Sequence, residues 1–525
     1  MTALFIAATI LSLINVGAEF ARDVMMMQQN SYRIDRYRRW LSQSGDTTSI
    51  MRLISLVIVF VAASIFSIDI VWMSLVAVDS LVNSVILLRR KYKKPLVYTP
   101  RVKRILAMMW LLALAVLCLS FAFGEDWWMV IPAIALAEYV ASHNFAIAAV
   151  WVLKPVEKAI NNRYYRDAQR ILQSMPDLKV IGITGSYGKT STKHYLYRIL
   201  QEKYDTVMTP GSFNTTLGVV RTIREYMKPY NQVFICEMGA KQPGDIKEIC
   251  DLVHPSIGII TAVGEQHLES FKSIENVQRT KFELIDSLPA DGFAVVNNDF
   301  EWAARREVKN VDVARYAVSS TEDAKFVAED IRYTPSGTEF TLKCPDGSKI
   351  IFKTRLVGAC NVSNLMAAII VAMHLGVETE KIKYAVEHIE QVEHRLNMKR
   401  TPGGITIIDD AFNSNPTGSA MALDVLASMT GGKRIVVTPG MIELGDRQGE
   451  LNREFGKKIS TSADVAIIVG RYNREAITEG IAEAGNSEVK VLEVDTFDDA
   501  RRELATLMTS GDTVLYENDL PDTFK

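Results

Sequence analysis

Long apolar runs within the first 153 residues constrain this chain more than any other feature. Residues 2–20 carry no charge before Glu19, and a run of that length crosses a hydrocarbon core about 30 Å thick. A secretory signal peptide would begin with a basic segment. None precedes this run, so it is expected to persist as an anchor. Residues 53–88 form a second run, which as a single helix at about 1.5 Å per residue would be nearly twice the core thickness. Two readings are open: one tilted helix extended into the cytoplasm, or a tight hairpin turning near Ser67-Ile68-Asp69.

Flanking charge favours the hairpin. Arg22, Arg33, Arg36, Arg38, Arg39 and Arg52 outnumber the acids before the run, and Arg89, Arg90, Lys91, Lys93, Lys94, Arg101, Lys103 and Arg104 follow it without an acid. Basic flanks belong on the cytoplasmic side, and only a hairpin puts both there. Two more apolar runs, 105–123 and 128–153, enclose the acidic, aromatic Gly124-Glu125-Asp126-Trp127-Trp128, read as an outer turn with Trp at the interface. The count is five crossings, or four if 53–88 is single. In both cases the rest of the chain is cytoplasmic, which predicts a multi-pass plasma-membrane protein. Asp79, Glu138 and His143 lie inside these runs, as functional candidates or as residues near an interface or facing a neighbouring helix.

Composition closes other routes. With 59 Lys+Arg against 61 Asp+Glu, the chain lacks the basic surface of a nucleic-acid binder. Its five cysteines form no CxxC and no close pair, which excludes a disulfide scaffold and a zinc ribbon. Residues 155–173 read as an amphipathic helix starting at Pro155, a linker over 154–177.

Beyond the linker, the buried-strand pattern Lys179-Val180-Ile181-Gly182-Ile183-Thr184 runs into Gly185-Ser186-Tyr187-Gly188-Lys189-Thr190-Ser191-Thr192, and a helical pattern follows. Strand, glycine loop, Lys-Thr and helix make a phosphate cradle: backbone N–H groups and the helix dipole face the anion. Lys189 is expected to reach the β- and γ-phosphates, and the Thr190 hydroxyl to hold Mg²⁺. An ordinary glycine turn is the alternative. The usual six-residue glycine spacing is not met, because Ile occupies position 183.

The offset T-G-x-x-G-K-T-[ST] loop resembles that of the Mur ligase superfamily, and further ordered motifs extend the resemblance over about residues 178–515. They are Thr209-Pro210-Gly211-Ser212-Phe213-Asn214-Thr215-Thr216, Glu237-Met238-Gly239-Ala240, His267-Leu268-Glu269-Ser270-Phe271 with Lys281, Gly358-Ala359-Cys360-Asn361-Val362-Ser363-Asn364, His394-Arg395-Leu396, Asp409-Asp410-Ala411-Phe412-Asn413-Ser414-Asn415-Pro416 and Gly440-Met441-Ile442-Glu443-Leu444-Gly445. The nearest branch joins D-alanyl-D-alanine to a UDP-N-acetylmuramoyl tripeptide. The resemblance implies ATP and two Mg²⁺ ions, with Thr190 on the first ion and Glu237 and His267 on the second. It implies a carbamylated, metal-binding Lys281, set against a plain surface lysine; a structural histidine is the alternative for His267. It places Asn361 and Asn364 near adenine, Arg395 on phosphate after domain closure, and Asp410 on the nucleotide side of the last domain, with Asn413 and Asn415-Pro416 shaping that loop. Cys360 stands where the family often has His, and Phe412 where it has Tyr. The usual Lys-Gly-Ser-Arg signature is replaced by Tyr516-Glu517-Asn518-Asp519. The family's soluble UDP-sugar domain is replaced by the apolar module.

The expected architecture is thus an α-helical transmembrane module (1–153), the linker, and two α/β domains: a P-loop Mur-type ATPase domain (178–394) with a strand-rich insert near 325–355, and a Rossmann-like domain (395–525). Strand–helix alternation with turn signals at Thr334-Pro335-Ser336-Gly337 and Pro345-Asp346-Gly347 supports this division. The expected function is a membrane-anchored, ATP-dependent amide ligase of cell-wall synthesis, with the two ligase domains cytoplasmic and no nucleic-acid partner. The acceptor is a muramyl peptide carboxylate, UDP-linked or lipid-linked or polymeric, and the nucleophile an amino-acid or dipeptide amine. An ATP-driven transporter or signalling protein, and an inactive ligase-like scaffold, are the readings from other classes.

Overall fold

The computed structural model describes residues 2–44, 54, 56–58, 61, 69–92, 94–120, 130–319, 322–334, 337–412, 414–485 and 488–519. The chain divides into two compact units, residues 1–161 and 162–519.

The first unit is helical: α1 (Thr2–Gln29), α2 (Ile34–Ser44), α3 (Asp69–Arg89), α4 (Pro100–Ser120), α5 (Ile131–Val140) and α6 (Ser142–Gln173), the last running on beyond it. Helix α1 turns Ser12, Asn15, Val16, Glu19, Phe20 and Asp23 inward at helical spacing, while Ile6, Ile10 and Ile14 stand outward, about half exposed. An apolar outer face with a partly polar inner one inverts the ordinary water-soluble pattern. Three described helices (α1, Ile70–Arg89 within α3, and Pro100–Leu119 within α4) are long and apolar enough to cross a membrane, or up to four if α5 and α6 count as one bent span. Inside, Arg22 pairs with Glu19 at 2.6 Å, Tyr37 donates to Asp23 at 2.9 Å, and Ser12 and Ser80 share a hydrogen bond of 3.2 Å. Glu138 is buried; Asp79 and His143 are partly so. The hairpin turn expected at Ser67-Ile68 and the outer turn at 124–128 lie outside the described residues.

One local expectation is corrected. No helix starts at Pro155; α6 begins at Ser142 and carries Pro155 in its interior. An interior proline forfeits one backbone hydrogen bond but does not oblige a helix to end. The break falls instead at Ala141, where α5 and α6 meet at 72°.

In the second unit, strands and helices alternate: β1 (Lys179–Thr184), α7 (Lys189–Leu200), β2 (Thr206–Met208), α8 (Thr216–Glu225), β3 (Val233–Glu237), α9 (Asp245–Val253), β4 (Ile257–Ile260), α10 (Ile274–Asp286), β5 (Phe293–Asn297) and β6 (Asp312–Ala317). The strands pair in parallel in the order β2-β3-β1-β4-β5-β6. Fully buried runs such as Val233–Glu237 form strands because both faces of the sheet are covered by helices. The sheet then continues through β7 (Phe326–Thr334), β8 (Gly337–Lys343) and β9 (Lys349–Thr354), the last two pairings antiparallel. Of the turn between β7 and β8, Pro335 and Ser336 lie outside the described residues. Helices α11 (Ala359–His374) and α12 (Thr379–Glu387) follow; Leu365, Met366 and Ile369 of α11 join Ile181, Ile183 and Tyr195 in one core.

A second sheet begins at β10 (Asn397–Arg400), antiparallel to β11 (Thr406–Asp410). After α13 (Pro416–Ala427) come β12 (Arg434–Thr438), α14 (Gln448–Ser462), β13 (Val465–Val469), α15 (Arg474–Glu483), β14 (Lys490–Val494), α16 (Phe497–Leu507) and β15 (Thr513–Glu517). The order is β10-β11-β15-β12-β13-β14, parallel from β11 onward.

Candidate active site

The C-terminal ends of parallel strands are where open α/β sheets place their ligands, and three adjacent strands end together here. β1 leads into the glycine loop, β3 ends on Glu237, and β4 leads to His267. Register does the positioning: Ile183 sits opposite Glu237, and Thr184 opposite Ile260. The loop that starts at Gly185 therefore opens beside the Glu237 carboxylate.

The loop needs its glycines. Gly185 has φ +156°, and a Cβ there would lie 2.1 Å from Thr261 Oγ1; Gly188 has φ +79°, and a Cβ there would lie 2.4 Å from Asn364 Oδ1. Gly188 also caps α7, whose first turn presents Lys189, Thr190 and Ser191. Ser186 is pinned to Gly264, donating to its carbonyl at 2.9 Å and accepting from its N–H at 3.0 Å. The Tyr187 ring rests edge-on against Phe300. The Lys189 ammonium folds back onto the carbonyls of Gly185 (2.5 Å) and Ser186 (3.3 Å). Burial lowers Lys189 to about 8, the Glu237 charge opposing that shift.

Glu237 is 1% exposed and is the hub. Its Oε1 accepts from Thr190 (3.2 Å) and Asn214 (3.0 Å), and its Oε2 faces the Lys193 ammonium at 2.9 Å. Burial pushes its carboxyl up, but Lys193, Lys189 and Asn214 prevail and hold it below the usual range. Lys193 and Asn214 are the site residues that sequence reasoning did not assign. The signal for Lys193 was its spacing of four from Lys189, one helical turn on the same face.

Lys281, on the buried side of α10, is 1% exposed. Burial first, then the Lys189 charge, holds it well below the ordinary lysine value. His267 feels both Lys281 and Lys241, and burial pulls its imidazole down. Its Nδ1 is engaged by the Glu443 carboxylate. Arg395 stacks over the Phe412 ring at 4.3 Å and feels the charges of Asp410 and Glu237. Asp410 accepts from the Leu396 N–H at 3.2 Å, and burial lifts it to about 6. Lys189 thus lies within electrostatic reach of Glu237, Lys281 and Arg395, Lys281 within reach of His267, and Arg395 within reach of Asp410.

The two asparagines are anchored more tightly than a pure ligand role needs. Asn361 accepts from Tyr195 (2.8 Å) and donates to Val357 (2.9 Å). Asn364 accepts from Thr192 (3.2 Å), under the loop. Burial pushes the Cys360 thiol up to about 12, so it is neutral there. Asn415 caps α13, whereas Asn413 lies outside the described residues.

Among the described residues no three His, Cys, Asp or Glu side chains gather as a metal cage. Mg²⁺ seldom needs one, since it takes one or two protein oxygens and completes its shell with phosphate and water. Thr190 Oγ1 and Glu237 Oε1 are such a pair of oxygens and fit that demand.

The Mur ligase middle domain matches residues 183–372, and the Mur ligase, glutamate ligase domain, matches residues 394–516. The UDP-N-acetylmuramoyl-tripeptide--D-alanyl-D-alanine ligase of Bacillus subtilis (strain 168) is 31% identical over 283 residues, covering 54% of this chain and 60% of the relative. That of Escherichia coli (strain K12) is 30% identical over 317 residues, covering 60% and 69%. The chain therefore spans about three fifths to two thirds of the length of these relatives. Crystal structures of MurF from Acinetobacter baumannii (TM-score 0.62, 27% identity, 68% of this chain and 77% of that one) and of the MurF ligase from Thermotoga maritima in complex with ADP (TM-score 0.61, 26% identity, 68% and 80%) share its fold.

Proposed function

Because the chain belongs to the Mur ligase family, we propose that it is an ATP-dependent amide ligase, anchored in the plasma membrane by its N-terminal helices, that adds D-alanyl-D-alanine to a muramyl tripeptide. The observation that carries this reading is that the glycine loop with Lys189 and Thr190, the Glu237 strand end and the loop bearing His267 open from three neighbouring parallel strands, with Lys281 of α10 within electrostatic reach of Lys189 and His267.

The reaction runs in two steps. A carboxylate oxygen of the acceptor attacks the γ-phosphorus of ATP, the bond to the β-phosphate oxygen breaks, and ADP leaves with the electron pair. The amine nitrogen then attacks the acyl carbon, the carbon–oxygen bond to phosphate breaks, and an amide, phosphate and a proton result. Protein side chains form no covalent bond, so positioning and charge carry the rate.

The chain's own groups divide that work. Loop amides from Gly185 to Ser191 cradle phosphate at the start of α7. Lys189, resting on the Gly185 and Ser186 carbonyls, would turn from them to an incoming phosphate. Thr190 and Glu237, whose oxygens lie 3.2 Å apart, would share one Mg²⁺, which moves Glu237 from the ion expected with His267 to the one expected with Thr190; His267 would face a second ion, and the metal would supply charge neutralisation on the phosphates. Lys281, buried and held below the ordinary lysine value, is the lysine that would take up CO₂ as a carbamate. Its carbamate would turn a cation into an oxygen ligand. Arg395, stacked on Phe412, adds positive charge from the C-terminal domain side, within reach of the Asp410 charge. Asn361 and Asn364 brace the adenine side of the loop.

A lipid-linked acceptor is a second reading. It is favoured by the outward apolar faces of α1 and α3, which suit a protein working at a membrane surface. Mass spectrometry distinguishes the two. The full chain in nanodiscs, given ATP, Mg²⁺ and D-alanyl-D-alanine, is expected to extend a UDP-muramyl tripeptide, with a lipid-linked tripeptide tested in parallel. Brisk ATP hydrolysis that no acceptor stimulates, with no amide formed, would favour a transporter or signalling role instead.

A further inference from the structure

Across the seam between the two sheets, two non-glycine residues in the left-handed backbone region touch each other. His267 has φ 53° and Glu443 has φ 63°. Such conformations cost roughly 1–3 kcal/mol each and persist only where surrounding structure imposes them. Here the Glu443 carboxylate meets His267 Nδ1, and the Glu443 carbonyl accepts from the Glu269 N–H at 3.4 Å. Gly445, at φ +63°, passes so close to Glu269 that a Cβ would sit 3.3 Å from its backbone.

The loop carrying Glu443 is braced from below. Leu444 N–H donates to Gln448 at 3.2 Å, Gln448 donates to Asn473 at 2.7 Å, and Met441 N–H donates to Asn452 at 2.9 Å. Arg447, on the same loop, pairs with Glu265 across the seam. His267 thus receives its ring orientation from the C-terminal domain, although it belongs to the loop after β4.

We propose that Glu443 is the positioning residue for His267: seated across the seam, its carboxylate accepts the hydrogen bond of Nδ1–H and so leaves Nε2 free to face the phosphate loop, and His267 becomes competent only when the C-terminal domain is in place. Imidazoles that bind metal almost always donate their second ring N–H to such a partner, and losing it typically costs about 10–100-fold in metal affinity. The inference rests on the ligase reading only in taking His267 as a metal-side residue.

The test reads binding rather than turnover. Mn²⁺ is titrated by electron paramagnetic resonance into the full chain in nanodiscs with a non-hydrolysable ATP analogue. Glu443→Ala is expected to weaken Mn²⁺ at least about tenfold. Glu443→Gln, which keeps an acceptor oxygen for Nδ1–H, should retain most of the affinity. Arg447→Ala, which opens the neighbouring bridge without touching His267, should leave it unchanged. Unchanged Mn²⁺ affinity in Glu443→Ala overturns the proposal. So does an equal loss in Arg447→Ala, which would assign the effect to seam packing. If the alanine variant does not fold, Glu443→Asp, one methylene shorter, carries the same test, and unchanged affinity there is equally fatal. Metal binding as predicted but with no amide product would sink the ligase reading and leave this one standing.

Discussion

Lys193 and Glu237 form a buried ion pair at 2.9 Å, with side chains 0% and 1% exposed, at the spot where the strand ends open onto the phosphate loop. The Lys193 ammonium also donates to the Gly211 carbonyl at 2.6 Å, so it ties α7 to the loop before α8. Breaking one side of a buried pair leaves an unbalanced charge in low dielectric, at about 3–5 kcal/mol. Lys193→Ala should therefore destabilise the first sheet by that amount, read as faster hydrogen exchange in β3. The double variant Lys193→Met, Glu237→Gln should recover much of the loss. A single-variant cost under about 1 kcal/mol, the range of exposed pairs, would contradict the role given to this pair.

Lys189→Ala should cut turnover by about two to three orders of magnitude. A lost phosphate-directed charge in a dry site typically costs about 10²–10³ in kcat, measured by acceptor-dependent phosphate release. Lys189→Arg should not rescue, because a planar guanidinium fork directs its donors differently from the compact ammonium that the Gly185 and Ser186 carbonyls hold.

Gly188→Ala adds a methyl 2.4 Å from Asn364 Oδ1 at a φ of +79°. The backbone term alone is about 1–2 kcal/mol. Fluorescent-nucleotide titration should show a loss exceeding tenfold. Asn364→Ala in that background removes the clash but not the backbone strain, so rescue should be partial; full rescue would mean that the loop tolerates a side chain there.

Much of this site is legible in the sequence because its local chemistry is local in the chain. Gly185 to Thr190 declare a phosphate loop, and Glu237 ends an apolar five-residue strand. What escaped is what the topology brings together. Lys193 reads as an ordinary helical lysine until β3 packs beside α7. Glu443 meets His267 across 176 residues of chain. The helix expected to begin at Pro155 begins at Ser142, since proline punctuates sequence more strongly than it must punctuate a helix.

Glu517 offers a pH test away from the phosphate loop. Its carboxyl is 1% exposed, and its Oε1 accepts from Ser414 at 2.7 Å and Ser419 at 2.9 Å. Burial, then the Asp410 charge opposite it in the strand register, pushes it up to about 8. A carboxyl raised in the folded state binds its proton more tightly there than in the unfolded chain. Its stabilisation is complete below the unfolded value of 4.5 and is lost as pH rises toward about 8. Protection of β15 amides should fall over that window, by up to about 1.4 kcal/mol per pH unit. Glu517→Gln should flatten the profile. A wild-type profile already flat from pH 5 to 8 would contradict the assignment.

The central claim is that this pocket transfers a phosphoryl group to a carboxylate before nitrogen bonds to carbon. The direct measurement uses UDP-muramyl tripeptide labelled with ¹⁸O in its terminal carboxylate, with ATP, Mg²⁺ and D-alanyl-D-alanine, and reads the released phosphate by ³¹P NMR or mass spectrometry. One ¹⁸O atom is expected in each phosphate formed alongside amide. Unlabelled phosphate accompanying amide formation would contradict the claim.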